Sequence, residues 1–84
     1  MPKNSYKTNA LTQEYEEKAK NLLRSELKRR GLTYAGLAEK LGALGVQETE
    51  RNLANKVSRG GFTAAFLLQC LIAIGAKTVL IQAE

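Results

Sequence analysis

From Thr33 to Gly61 the chain reads TYAGLAEKLGALGVQETERNLANKVSRGG. Apolar residues recur there at helical spacing, but glycines and capping residues interrupt them before any stripe becomes long. The stretch reads as two short helices joined by a glycine-punctuated turn, the second with a polar and basic tip. Helices this short are held by burying an apolar face against neighbours rather than by propensity. The segments on either side must supply that cover, and both carry helical spacing. In a chain of 84 residues this points to one small helical bundle rather than two domains.

The spacing places the elements residue by residue. Thr12 is suited to cap the first helix, with Glu14, Glu16 and Glu17 near its positive end and Arg24, Lys28, Arg29 and Arg30 in its last turns. Tyr15, Ala19, Leu22, Leu23 and Leu27 form its apolar stripe, and Gly31 stops it. The basic cluster either complements the helix dipole or contacts phosphate. Thr33 caps the second helix, Leu32 and Leu37 are spaced as a hydrophobic staple, and Gly42 is its expected end. After the turn Gly42–Val46, either Gln47 or Thr49 caps the third helix. Val46, Leu53 and Val57 share one side of it at about 100° per residue, and Gly60-Gly61 ends it.

Phe62-Thr63 opens a fourth helix with the staple spacing repeated in Phe62 and Leu67. Between Ala64 and Ile74 only Gln69 is polar. A helix apolar on nearly all sides needs cover on nearly all sides, and so small a chain cannot provide it. The Phe66, Leu68 and Ile72 side is therefore assigned to a contact outside the monomer fold. Thr78–Gln82 has β character, and a lone strand needs a partner for its backbone. That partner is either the segment around Tyr6 or the same strand of a second copy. The second option would make a two-fold homodimer through Val79, Leu80 and Ile81, and it is the preferred one.

A net charge of +5 favours an anionic partner such as nucleic acid or a membrane surface, although it also serves solubility. There is no His and no Asp, and Cys70 is the only cysteine. A disulfide within the chain is impossible and a Cys/His zinc site lacks its ligands, so no metal and no cofactor are expected. Cys70 reads as a small buried hydrophobe. No acid–base or nucleophilic group stands among evident partners, which makes an enzyme the poorest reading. The opening MPKNSYKTNA has no apolar run behind its lysines, unlike a secretory signal. The longest apolar run is too short to span a bilayer, so the expected location is cytoplasmic and no membrane contact is expected. Residues 1–11 read as a polar N-terminal arm, frayed or lying on phosphates, and residues 12–84 as the domain.

The outward face of the third helix carries the functional signal. Glu48, Arg51, Asn52, Asn55 and Arg59 point away from its apolar side, with Lys56 at a flank. Arg pairs in bidentate fashion with guanine and Asn with adenine; Glu accepts from cytosine N4, and Lys or Arg neutralises phosphate. A merely solvated helix face would look similar, but asparagine is a poor choice for helix stability alone. Arg51, Asn52 and Asn55, with Glu48 as a fourth, are the candidates for base readout, and Lys56 and Arg59 for phosphate.

Leu32-Thr33-Tyr34-Ala35-Gly36-Leu37-Ala38-Glu39-Lys40-Leu41-Gly42 resembles the G-L-(S/T)-x-x-x-L-A-x-x-L-G helix of the Cro/repressor-type helix-turn-helix proteins of bacteria and phages. Val57-Ser58-Arg59-Gly60 looks like the end of their recognition helix. The run through Phe62–Gly75 also resembles a small family of bacterial domains of uncharacterised function related to these repressors. The resemblance implies the third helix in the major groove and a dimer reading two half-sites about one helical turn apart. It adds Thr33 and Tyr34 to the phosphate contacts, Tyr34 standing where that family usually has a phosphate-holding Gln. The turn Gly42–Val46 is about three residues longer than in the compact family motif, and the C-terminal strand stands in place of the usual fifth helix. The combined expectation is a mostly α fold, a small helix-turn-helix bundle of about four helices with one short C-terminal β-strand. It would bind double-stranded DNA as a homodimeric transcriptional regulator. The alternative is a protein-interaction module on the same fold that does not bind DNA.

Overall fold

Threonine sets the start of each short helix. The side-chain oxygens of Thr33, Thr49 and Thr63 accept hydrogen bonds from the backbone N–H groups of Gly36 (3.1 Å), Asn52 (3.0 Å) and Phe66 (3.0 Å). Each bond satisfies a donor that a helix start leaves unpaired, and such a cap is worth about 1 kcal/mol. The computed structural model describes residues 10–81, folded as α1 (Ala10–Arg29), α2 (Tyr34–Ala43), α3 (Glu50–Arg59) and α4 (Ala64–Ala73). Of the two caps open for α3, Thr49 is the one used. Thr12 does not cap α1, which already begins at Ala10.

Three helices end in one way. Leu32 N–H donates to the Leu27 carbonyl (2.9 Å) and Gly31 N–H to that of Lys28 (3.1 Å). The same pair of bonds recurs from Val46 and Gly45 to Leu41 and Gly42, and from Ala76 and Gly75 to Leu71 and Ile72. This reversal drops the following residue, Leu32, Val46 or Ala76, back onto the core. It also corrects the end of α2. Gly42 lies inside the helix, and Gly45 (φ 90°) takes the left-handed turn. Turning at Gly45 delivers Val46 to the core, where turning at Gly42 would have delivered only Ala43.

α2 packs against both α3 and α4, and α1 packs on α4. Leu23 of α1, Leu37 and Leu41 of α2, Leu53 and Val57 of α3 and Cys70 of α4 are fully excluded from water. Each buried Leu or Val side chain contributes about 1.5–3 kcal/mol of transfer free energy. α1 also clasps the end of α3. Lys20 Nζ donates to the Ser58 carbonyl (3.4 Å) and pairs with Glu17 (3.2 Å). A Cβ added at Gly60 would stand 3.5 Å from the Glu16 carbonyl oxygen, an ordinary contact distance, so the α3–α4 connection passes beside α1.

Several expectations require correction. Tyr15, assigned to the α1 stripe, is 60% exposed. Phe66, assigned outward, is buried, its ring 5.3 Å from that of Phe62. Leu68 and Ile72 do remain exposed. No strand forms among the described residues: 76–81 run without regular structure, with Val79 half-buried on the core and Leu80 and Ile81 exposed. The apolar side chains that suggested a strand supply no hydrogen-bond partner for its backbone, and the described residues contain none. Gln82 and the segment around Tyr6 lie outside the described residues.

The last turn of α1 holds an ion cluster. Glu26 is buried, and both of its carboxylate oxygens accept from Arg29 Nη2 at 2.8 Å while Arg30 Nη1 donates to one of them. The Arg29 hydrogen bond leads in lowering the Glu26 pKa below its ordinary 4.5; burial opposes it and Arg30 assists. A carboxylate with a depressed folded-state pKa stabilises the fold above its unfolded pKa and loses that contribution as pH falls through the folded value. Glu26→Gln should therefore lower the thermal midpoint at neutral pH, and the difference from the unsubstituted protein should shrink as pH drops below 4.5. Thermal scans by circular dichroism across that range check this; a difference constant with pH would exclude the ion cluster as its source.

Candidate functional site

α3 turns two different faces to its surroundings. Leu53 and Val57 are fully buried, whereas Arg51, Asn52, Asn55 and Arg59 are exposed. The Thr49 cap fixes the helix start, and Gly60 (φ 81°) ends it with its N–H on the Lys56 carbonyl. None of the four exposed side chains takes part in a hydrogen bond or ion pair among the described residues. Among the described residues their donors and acceptors face solvent, on a helix capped at both ends.

Glu48 and Lys56 are placed differently. The Glu48 carboxylate is 10% exposed and lies 2.5 Å from Lys56 Nζ. The same ammonium stands 5.0 Å from the centroid of the Phe66 ring, a cation–π arrangement. Lys56 thus ties the connection before α3 to α4, and Glu48 does not share the free face. The helical period that would place it outward does not extend back through Thr49, where the backbone is extended (φ −106°, ψ 161°).

Cys70 lies close to this pair. Burial, aided by the Glu48 charge and offset by Lys56, pushes its thiol up to about 12. A thiol so placed stays protonated near neutral pH and is a poor nucleophile. Among the described residues no group of three or more His, Cys, Asp or Glu side chains could hold a metal ion. No helix there is long and apolar enough to cross a membrane.

Two shallow depressions lie at opposite ends of α3. Glu50, its first residue, lines one together with Arg24, Leu27, Lys28, Leu32, Thr33 and Tyr34. Arg59, its last, lines the other with Lys56, Gly61, Phe62, Thr63 and Phe66. Thr33 and Tyr34 therefore meet at one end and Lys56 and Arg59 at the other. Thr33 Oγ1 already accepts from Gly36 N–H but keeps its own O–H to donate. Tyr34 is half-buried against the core.

Arg24 and Lys28, two of the four basic residues read as either dipole complements or a phosphate patch, line one depression with Thr33 and Tyr34, a division from Arg29 and Arg30 that the sequence reading does not make. The usable signal was their i,i+4 spacing, together with Glu26 standing at i−3 and i−4 from Arg29 and Arg30. Those two arginines are engaged by Glu26, whereas Arg24 and Lys28 are exposed. Of the side chains assigned to a dimer contact, Leu68, Ile72, Leu80 and Ile81 are exposed, Val79 is half-buried and Phe66 is in the core.

No curated protein and no solved structure matches the chain. A family model does match, over residues 15–79, and its description is Domain of unknown function (DUF6471). That span includes α2, α3, α4, all but the first five residues of α1, and both depressions. Because the match covers more than half of the 84 residues, this chain belongs to the Domain of unknown function (DUF6471) family.

Proposed function

We propose that the protein binds double-stranded DNA in a sequence-specific manner, as a dimeric transcriptional regulator of the Cro/repressor helix-turn-helix kind. The observation that carries this reading is the free polar face of α3, with Arg51, Asn52 and Asn55 exposed and without partners among the described residues. Those three side chains read base edges in the major groove. Arg59, the Tyr34 hydroxyl and the Thr33 hydroxyl take phosphates. Lys56 adds its charge at the Arg59 end, partly compensated by Glu48. Glu48 acts as the clasp on the approach to α3 rather than as a base reader.

Labelled duplex DNA should bind with an affinity that falls steeply as salt rises, with a log–log slope of about −0.9 per phosphate contact. On a preferred site, Asn52→Ala should cost roughly 1–3 kcal/mol while leaving the salt slope in place. If the folded protein binds no duplex at low salt, the DNA reading is wrong. The reading left would be a protein-interaction module, which the exposed acid Glu50 at the start of α3 favours.

The second copy docks on the apolar side that the monomer leaves open. Leu68 and Ile72 stand one turn apart on α4, 57% and 64% exposed, and Leu80 and Ile81 are more exposed still. A two-fold contact through one such patch is self-complementary. Light scattering at micromolar concentration should give twice the chain mass, and Leu68→Glu combined with Ile72→Glu should give the single mass with helicity retained. A single mass for the unsubstituted chain would remove the dimer.

A further inference from the structure

We infer that the depression between α1 and the starts of α2 and α3 is a phosphodiester-binding site, with Arg24 and Lys28 supplying its charge. The inference rests on the DNA reading and extends the contact surface to a helix that reading does not use. Its basis is how charge is divided at the end of α1. Arg29 and Arg30 are both engaged by buried Glu26. Arg24 and Lys28 are exposed and have no ion-pair partner among the described residues. At i,i+4 spacing they occupy one face of the helix, and they line one depression with Thr33 and Tyr34.

The surroundings suit an anion held by several weak contacts. Two cations meet two hydroxyls at the start of α2, where the positive end of that helix also favours an anion. Leu27 and Leu32 line the same depression, which lowers the local dielectric and strengthens each charge contact. Glu50 lines it too and opposes an anion, but it also marks where the site lies. Because Glu50 is the first residue of α3, the depression adjoins the reading helix. A duplex whose bases meet Arg51, Asn52 and Asn55 carries its sugar–phosphate backbone past that end of α3. The site therefore adds affinity without sequence preference, because phosphate contacts position the protein while base contacts specify.

The test is fluorescence anisotropy with a preferred and an unrelated duplex across a salt series, on the full chain, with circular dichroism to monitor folding. Arg24→Gln with Lys28→Gln should weaken both duplexes alike, on the order of tenfold, and reduce the salt slope by about 1–2. Glu50→Gln should tighten both duplexes alike, an effect that a purely structural role for this exposed residue would not produce. Unchanged affinity and slope in the double variant would overturn the site while leaving the DNA reading standing, and so would Glu50→Gln without tightening. Failure of the unsubstituted protein to bind either duplex would bring down both.

Discussion

Burial of Leu37 and Leu41 against α3 and α4 is the constraint on which the rest of the structure depends. Both leucines are fully excluded from water, and they lie on α2, the helix that packs against both of its successors. None of the three short helices would persist alone in water. Packing Leu53 and Val57 of α3 into the same core sets its rotation about its axis, and that rotation turns Arg51, Asn52 and Asn55 outward. The orientation of this exposed polar face is thus a consequence of apolar packing on the opposite side. The threonine caps and glycine reversals decide where each helix begins and ends, and so keep these leucines in register.

Charge is distributed with similar economy. Two half-hidden or buried acids engage three of the cations: Glu26 holds Arg29 and Arg30, and Glu48 holds Lys56. Lys20 is turned onto Glu17 and the Ser58 carbonyl. Arg24, Lys28, Arg51 and Arg59 are among those without an ion-pair partner among the described residues, and all four lie on α3 or on the depressions at its two ends. The net charge alone does not reveal this. A net charge of +5 says nothing of where the charge lies, whereas the ion pairs show which cations are already engaged.

Much of the scaffold was legible because its signals are local. A threonine before an apolar run, a glycine after it and a staple pair each act within a few residues, and Thr33, Thr63, Gly31 and Gly75 could be read directly. The errors arose where the deciding contact was distant or the period was extended too far. Gly42 and Gly45 both offered an end to α2, and the choice depended on whether Ala43 or Val46 would land on the core. Glu48 precedes the Thr49 cap, so the helical phase of α3 does not govern it. Phe66 looked surplus on α4 because its partner Phe62 precedes the helix. The β-rich tail promised a strand, but residue type cannot supply the second backbone that a strand requires. A carboxylate enters a core only when its partners come with it, and the partners of Glu26 are Arg29, at the end of its own helix, and Arg30, directly after it.

The scaffold is the same whether α3 reads bases or merely faces water, so the decisive test must report sequence preference. Selection from a randomised duplex pool provides it. The proposal that Arg51, Asn52 and Asn55 read bases predicts enrichment of a two-fold symmetric motif, with preferences lost at distinct positions when each residue is replaced by alanine. A folded protein that enriches no motif, or one whose motif is unchanged by all three replacements, would contradict it.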